Sequence, residues 1–427
     1  GSEMCIRDSK RKSKIFTEKF SRSRQEQHRS PHGHQGMVRA AEQPGCRGQH
    51  HRAQQQQRDQ PEAGMRAGAL FALHQTPLLP SNDLAPAYAA PGPIVRGGEV
   101  WYTKGERYGG VFMLTITLLG TAATMPLPDR ALTAAAAECG GHSLLFDCGE
   151  GTQAAARRAG VNLMKLDAIC LTHYHGDHIF GLPGLLQTLG CQNREKPLTL
   201  FGPAEGMAPV WAALHALTGP LPYPVRVAPV LPEADLIPLE TLAAGWPAGA
   251  VLRPFSTKHR VPSRGYRLEL PRAGRFDPAK AKALGVPVPQ WKLLQRGESI
   301  PLENGKIIEP SQVLGAPRKG LSVVFSGDTA PCTGLEQAAQ GTDLLLCDAT
   351  YPDDSYLAQA KQYGHSTFLQ DAGLATRAGA KRLWLTHYSP IITDPEEARP
   401  AAAALFPPVE CGFDGKQIIL QYDEETS

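Results

Sequence analysis

Three imidazoles and a carboxylate fall within seven residues, Thr172-His173-Tyr174-His175-Gly176-Asp177-His178. The apolar run ahead of them, DAICL, reads as a strand. Just beyond a strand, alternate side chains share a side, so His173 and His175 lean the same way. The turn into the following helix brings Asp177 and His178 to a neighbouring position, and one loop thereby offers two metal subsites. Imidazole nitrogen and carboxylate oxygen suit zinc, with manganese or iron as other ions such donors hold; the motif contains no cysteine for a thiolate site.

Residues 113 to 427 contain eight histidines: 142, 173, 175, 178, 215, 259, 365 and 387. His259 follows the apolar strand VLRPFSTK, His387 ends RLWLT, and Asp328 ends LSVVFSG, each where a strand-end ligand would sit. His365, in GHST, stands at the start of a predicted helix. His142 lies beside a turn and His215 inside a predicted helix, and both are set aside as structural or surface residues.

The elements that must position these groups begin at Met113, where MLTITLLG reads as a first core strand. HSLLFDCGEGTQ (142 to 153) is the next strand and turn, and DAICLTHYHGDH the third. LTLFG, VLRPFST, RGYRLEL, LSVVFSGD, DLLLCDAT, RLWLTH and QIILQY continue the strands. Helices are predicted at 152 to 159, 178 to 190, 206 to 218, 355 to 362, 366 to 379 and 395 to 405. This is an α/β pattern in which strand ends repeatedly carry His or Asp, the place where helix-covered sheets hold ligands. Residues 271 to 318 interrupt it and read as an inserted arm or loop rather than core. The arm carries Arg272, Arg275, Lys280, Lys282, Lys292 and Arg296 against Asp277 and Glu298, with Trp291 available for packing or stacking. It is the one strongly basic patch in the expected folded part, suited to phosphate contacts.

The 427 residues, 42% hydrophobic and 20% charged, can bury a large core. The formal charge of +3 conceals an asymmetry: residues 1 to 112 hold about 17 Lys and Arg against about 10 Asp and Glu, so the remainder is mildly acidic. The front segment has no sustained helical or strand period and reads as a disordered or non-native extension, the alternative being a basic RNA-binding tail. Nine cysteines with no CxxC pair indicate neither a disulfide framework nor a zinc knuckle, which favours a reducing, cytoplasmic setting. No apolar stretch approaches the roughly 18 to 20 residues that span a bilayer, and no membrane association is expected.

The order HxHxDH, isolated His, SGDT Asp and strand-terminal THYS His is similar to the metallo-β-lactamase superfamily, which implies an αββα sandwich. The resemblance implies that His173, His175 and His259 bind one zinc, that Asp177, His178 and His387 bind a second, and that Asp328 bridges them. THYHGDHIFGLPGLL, HRVPSRGYRLEL, APRKGLSVVFSGDT and GHST are narrower and resemble the ribonuclease Z family in content and order. LLGTAATMPLPDRALTA and FDCGEGTQ match its opening, so the resemblance covers essentially all of 113 to 422. It implies a homodimeric endonuclease that removes the 3′ trailer of precursor tRNA and leaves a 3′ hydroxyl, with the arm binding RNA. Asp177 is then the base or orienting group for water, and His365 the acid at the leaving 3′ oxygen. Where the family usually carries Glu, this chain offers Asp348, and for it to orient His365 the shorter side chain requires a small backbone or water-mediated adjustment. Two other functions share the motif. A hydrolase of lactones, thioesters or small phosphodiesters would use the same ligands without the arm, and an inactive binding module would be expected to have lost some of them.

Overall fold

The computed structural model describes residues 113 to 232 and 236 to 422. The expectation for residues 1 to 112 therefore lies outside the described residues. The first half of the described chain runs β1 (Leu114–Gly120), β2 (Ala134–Cys139), β3 (His142–Phe146), α1 (Thr152–Arg158), β4 (Leu166–Cys170), α2 (Gly176–Ile179), α3 (Leu182–Cys191), β5 (Leu198–Pro203), α4 (Ala204–Thr218) and β6 (Val225–Val230). Next come β7 (Ile237–Pro238), β8 (Val251–Ser256), β9 (Arg264–Arg272), α5 (Pro278–Ala283), α6 (Trp291–Gln295), β10 (Ile300–Pro301), β11 (Ile307–Ile308) and β12 (Arg318–Phe325). The chain ends with α7 (Thr333–Ala338), β13 (Leu344–Asp348), α8 (Leu357–Tyr363), α9 (Phe368–Ala378), β14 (Leu383–Thr386), α10 (Arg399–Leu405), β15 (Val409–Cys411) and β16 (Gln417–Leu420).

Two seven-stranded sheets result, one ordered β16-β1-β2-β3-β4-β5-β6 and the other β15-β14-β13-β12-β9-β8-β7. Alternation along each strand decides which face packs where. Leu114, Ile116 and Leu118 of β1, Leu144 and Phe146 of β3, and Leu321, Val323 and Phe325 of β12 meet in the layer between the sheets. There the rings of Phe146 and Phe325 stack, 3.6 Å between centroids. The opposite parity, Leu119, Leu145 and Ile169, packs against α1, α3 and α4. Val324, Leu345 and Cys347 pack against α7, α9 and α10. The four layers are helix, sheet, sheet, helix, so both sheets are buried on both faces.

Three local features depart from the sequence reading. Ala134–Cys139 is a strand although its alanine run favours helix, because pairing with β1 and β3 overrides propensity. The helix predicted over 178 to 190 is two, broken around Phe180 and Gly181: a Cβ on Gly181 would lie 2.2 Å from the Gly149 carbonyl oxygen. The insertion between β9 and β12 is a folded lobe, with α5, α6 and the β10–β11 hairpin around a core of Ala281, Val286, Leu294, Ile300, Ile308 and Val313. Trp291 serves this core, donating Nε1–H to the Val286 carbonyl and packing on Phe276.

Candidate metal centre

Strands β3, β4 and β5 are parallel neighbours in the first sheet, and β12, β13 and β14 in the second. Their carboxyl ends converge. Asp147 follows β3, the HxHxDH loop follows β4, Asp328 follows β12, Asp348 ends β13, and His387 follows β14. His259 comes from the loop after β8, and His365 from the turn between α8 and α9. Of the cluster, His175, Asp177, His259, Asp328, His365 and His387 line an open cleft of about 730 Å³.

Asp328 stands at the centre, 2% exposed. Its Oδ2 lies 3.6 Å from His173 Nε2 and 3.9 Å from His259 Nε2, while His175 Nδ1 is 2.9 Å from the former nitrogen and 3.3 Å from the latter. Its Oδ1 lies 3.3 Å from His178 Nε2 and 3.2 Å from His387 Nε2, with Asp177 Oδ2 at 3.7 and 3.5 Å from those same nitrogens. One carboxylate thus faces two donor sets, His173, His175 and His259 on one side and Asp177, His178 and His387 on the other.

The outward nitrogens are already committed. His178 Nδ1 donates to Asp147 Oδ2 at 2.8 Å, and His259 Nδ1 to the Gly364 carbonyl at 2.9 Å. His173 Nδ1 meets Thr172 Oγ1, which donates onward to Asp147. His387 Nδ1 meets Thr350 Oγ1, which donates to Asp348 Oδ1 at 2.6 Å. Each of these rings is held by an outer partner, leaving its other nitrogen turned inward.

Such a centre calls for positive charge. Asp328 Oδ1 is buried without a hydrogen bond, which costs free energy unless a cation meets it. Burial opposes a charge on His387, but the nearby carboxylates of Asp328, Asp177 and Asp348 outweigh burial and raise its pKa to about 10. His178 is likewise held well above its ordinary value against burial, by Asp328 and Asp147. The carboxylates thus retain protons on His178 and His387, whose place a divalent cation would take, whereas burial lowers His173, His175 and His259 and leaves them suited to bind as neutral ligands. The donor set therefore fits a two-metal site of oxygen and nitrogen ligands.

His365 belongs to neither of these two sets, but with Asp328, Asp348 and His387 it forms a third group whose ligand atoms lie within 4.8 Å of one another. Its Nδ1 donates directly to Asp348 Oδ2 at 2.6 Å, with no water between them. Burial lowers the His365 pKa, but the adjacent Asp348 charge and this bond outweigh it and raise the value. His142 and His215 are elsewhere, the first bonded to Asp167 and stacked near Trp246, the second beside Trp211. The sequence reading missed Asp147 and Thr350, although Asp147 obeyed the same strand-end rule as the ligands.

The lobe cations are divided. Arg272, Arg275 and Arg296 line a cavity of about 790 Å³ at its root, with Arg318, Trp246 and Tyr422. Lys280, Lys282 and Lys292 are exposed on the lobe itself. Strand β9 connects the two regions: Arg264 bonds the Thr172 carbonyl beside the metal loop, and Arg272 lies eight residues on, roughly 26 Å along an extended strand.

The fold is that of the metallo-β-lactamase superfamily, whose profile, "Metallo-beta-lactamase superfamily", matches residues 138–257, the span that holds the HxHxDH loop. The metallo-β-lactamase-fold protein YhfI of Bacillus subtilis superimposes with a TM-score of 0.51 at 19% identity, over 72% of this chain and 99% of that one. Ribonuclease Z of Agathobacter rectalis is 39% identical over 313 residues, 73% of this chain and all of its own length, and that of Salinibacter ruber is 43% identical over 296 residues, 68% of this chain and 90% of its own. The short form of human tRNase Z superimposes with a TM-score of 0.50 at 26% identity, covering 71% of this chain and 98% of the human one. The chain belongs to the ribonuclease Z family.

Proposed function

We propose that this chain is a zinc-dependent endoribonuclease that removes the 3′ trailer from precursor tRNA and leaves a 3′ hydroxyl on the tRNA. The observation that carries this reading is Asp328, one carboxylate facing an imidazole set on each oxygen, in a chain of the ribonuclease Z family. His173, His175 and His259 would hold one zinc ion and Asp177, His178 and His387 the other, with Asp328 facing both sets. Bound there, the two ions would lower the pKa of a water and neutralise charge on the phosphate oxygens.

The residues carry the rest. Asp177, fixed by the Thr124 N–H at 2.7 Å, orients the attacking water and takes its proton. A bond forms between the water oxygen and phosphorus as the bond from phosphorus to the 3′ oxygen breaks. His365 Nε2–H gives its proton to that leaving oxygen, and Asp348 stabilises the imidazolium beforehand. The products are the 3′ hydroxyl of the tRNA and the 5′ phosphate of the trailer.

Arg272, Arg275, Lys280, Lys282, Lys292 and Arg296 hold backbone phosphates, as A-form RNA is read by backbone and shape. At roughly 26 Å from the metal loop the lobe root cannot touch the scissile phosphate of its own subunit, which favours a homodimer whose lobes serve the partner site. The seven described cysteines are all free, in keeping with a reducing cytoplasm. Among the described residues no helix is long and apolar enough to cross a membrane.

The test offers the zinc-loaded protein 3′-extended precursor tRNA, a thioester and bis(p-nitrophenyl) phosphate. Cleavage of the RNA to a 3′-hydroxyl product supports the proposal. Turnover of only the latter two would overturn it in favour of a small-molecule hydrolase.

A further inference from the structure

Among the described residues that line the metal cleft, Arg260 is the one lysine or arginine. It follows His259 directly and is exposed. Its guanidinium lies over the ring of Tyr363, 5.6 Å from the centroid, and has no carboxylate partner among the described residues. The pair is held in place by the turn that carries His365. The Gly364 carbonyl accepts from His259 Nδ1, and at φ 75 a Cβ on Gly364 would lie 3.0 Å from His259 Cα and 3.2 Å from Arg260 N. An arginine backed by an aromatic face keeps its charge and its fork of donors while losing side-chain freedom, an arrangement suited to a phosphate. The same cleft lining includes Phe180, 69% exposed, whose ring lies against Gly176 and offers an apolar plate for a nucleobase.

We propose that Arg260, braced by Tyr363, binds a backbone phosphate of the RNA next to the scissile one and so positions the strand over the metal centre. The assignment rests on the endoribonuclease reading above. The scissile phosphate faces the metal cluster; a neighbouring phosphate is a separate anion in a cleft whose lining carboxylates, Glu150, Asp177 and Asp328, repel it. Arg260 supplies the compensating charge.

The experiment compares zinc-loaded wild type, Arg260→Ala and Arg260→Lys on precursor tRNA and on bis(p-nitrophenyl) phosphate, which has no neighbouring phosphate. Arg260→Ala should lower kcat/KM on RNA about 10- to 100-fold, the range of a charge-assisted hydrogen bond, and leave the small diester within about threefold. Arg260→Lys should recover part of the loss, because charge remains and the fork does not. A neutral methylphosphonate placed at each phosphate flanking the cleavage point should impair wild type at one position, and there Arg260→Ala should suffer no additional loss. Equal losses on both substrates, or a fall in zinc content, would overturn the proposal by reducing Arg260 to a support for His259. Unchanged RNA cleavage by Arg260→Ala would also overturn it. Failure of the wild type on RNA with the small diester still hydrolysed would instead sink the endoribonuclease reading, and this inference with it.

Discussion

Asp147 adopts φ 57 at the end of β3, and its two oxygens serve the Thr172 N–H, the Thr172 hydroxyl and His178 Nδ1. It touches neither donor set's interior, yet it orients two of the imidazoles. Asp147→Ala should weaken zinc binding about 10- to 100-fold, as loss of an outer partner commonly does, read by competition with a chelating indicator. His173→Ala, Asp328→Ala and His387→Ala should abolish activity together with bound metal. His365→Ala should keep its metal and lose about 10²- to 10⁴-fold in turnover; loss of zinc from that variant would refute the separation of ligands from acid. The pH dependence arises from the same pair. Burial lowers the His365 pKa and Asp348 more than restores it, so the acid form persists above the ordinary imidazole range and the rate falls only as pH rises past that raised value. Asp348→Asn removes the charge, lowers the pKa and should shift the alkaline limb of kcat to lower pH; an unmoved limb would assign the proton elsewhere. The clustered His and Asp donors were legible because their types and strand-end positions are local to the chain. Asp147 and Thr350 were not singled out, because they act through the second nitrogen of a ring contributed by another strand, and that adjacency exists only once strands pair.

At the scale of elements, the lobe between β9 and β12 is the feature least visible in the sequence. Its apolar residues, from Ala281 to Val313, keep no helical or strand period across several short pieces, so they read as a loop until the pieces fold together. The alanine strand β2 was hidden for the opposite reason, since its local preference points to helix and only its neighbours make it a strand. The lobe meets the body at a narrow neck, where a Cβ on Gly274 would lie 1.9 Å from the Gly315 carbonyl oxygen. Its core shares no residue with the layer between the sheets. Excising residues 275 to 315 at that neck should therefore leave the sandwich folded and bis(p-nitrophenyl) phosphate hydrolysis largely intact. Cleavage of precursor tRNA should fall steeply and lose much of its dependence on salt, because the phosphate contacts of Arg275, Lys280, Lys282, Lys292 and Arg296 have gone and only Arg272 remains. Parallel losses on both substrates, with a lowered melting temperature, would mean that the lobe braces the metal cleft.

For the whole molecule, the pairing of β1 with β16 joins residue 114 to residue 420, a contact that no local pattern announces. The layer order was accessible only through resemblance, since single strands show which face is apolar and not which neighbour they take. That pairing bears on the front of the chain. β1 has β16 on one edge and β2 on the other, so both of its edges are paired within the described residues. Residues 113 to 422 already enclose three apolar layers around the two sheets, and every group in the metal centre lies among them. A chain beginning at Met113 should accordingly match the full protein in melting temperature and in cleavage of precursor tRNA. The excess of positive charge ahead of Met113 allows one salt-dependent difference, because added phosphate contacts strengthen RNA binding most at low salt and fade as salt rises. Measured at low and at near-physiological salt, the two chains should converge at the higher concentration. A shortened chain that is insoluble, or slower at both concentrations, would show that residues 1 to 112 belong to the working enzyme.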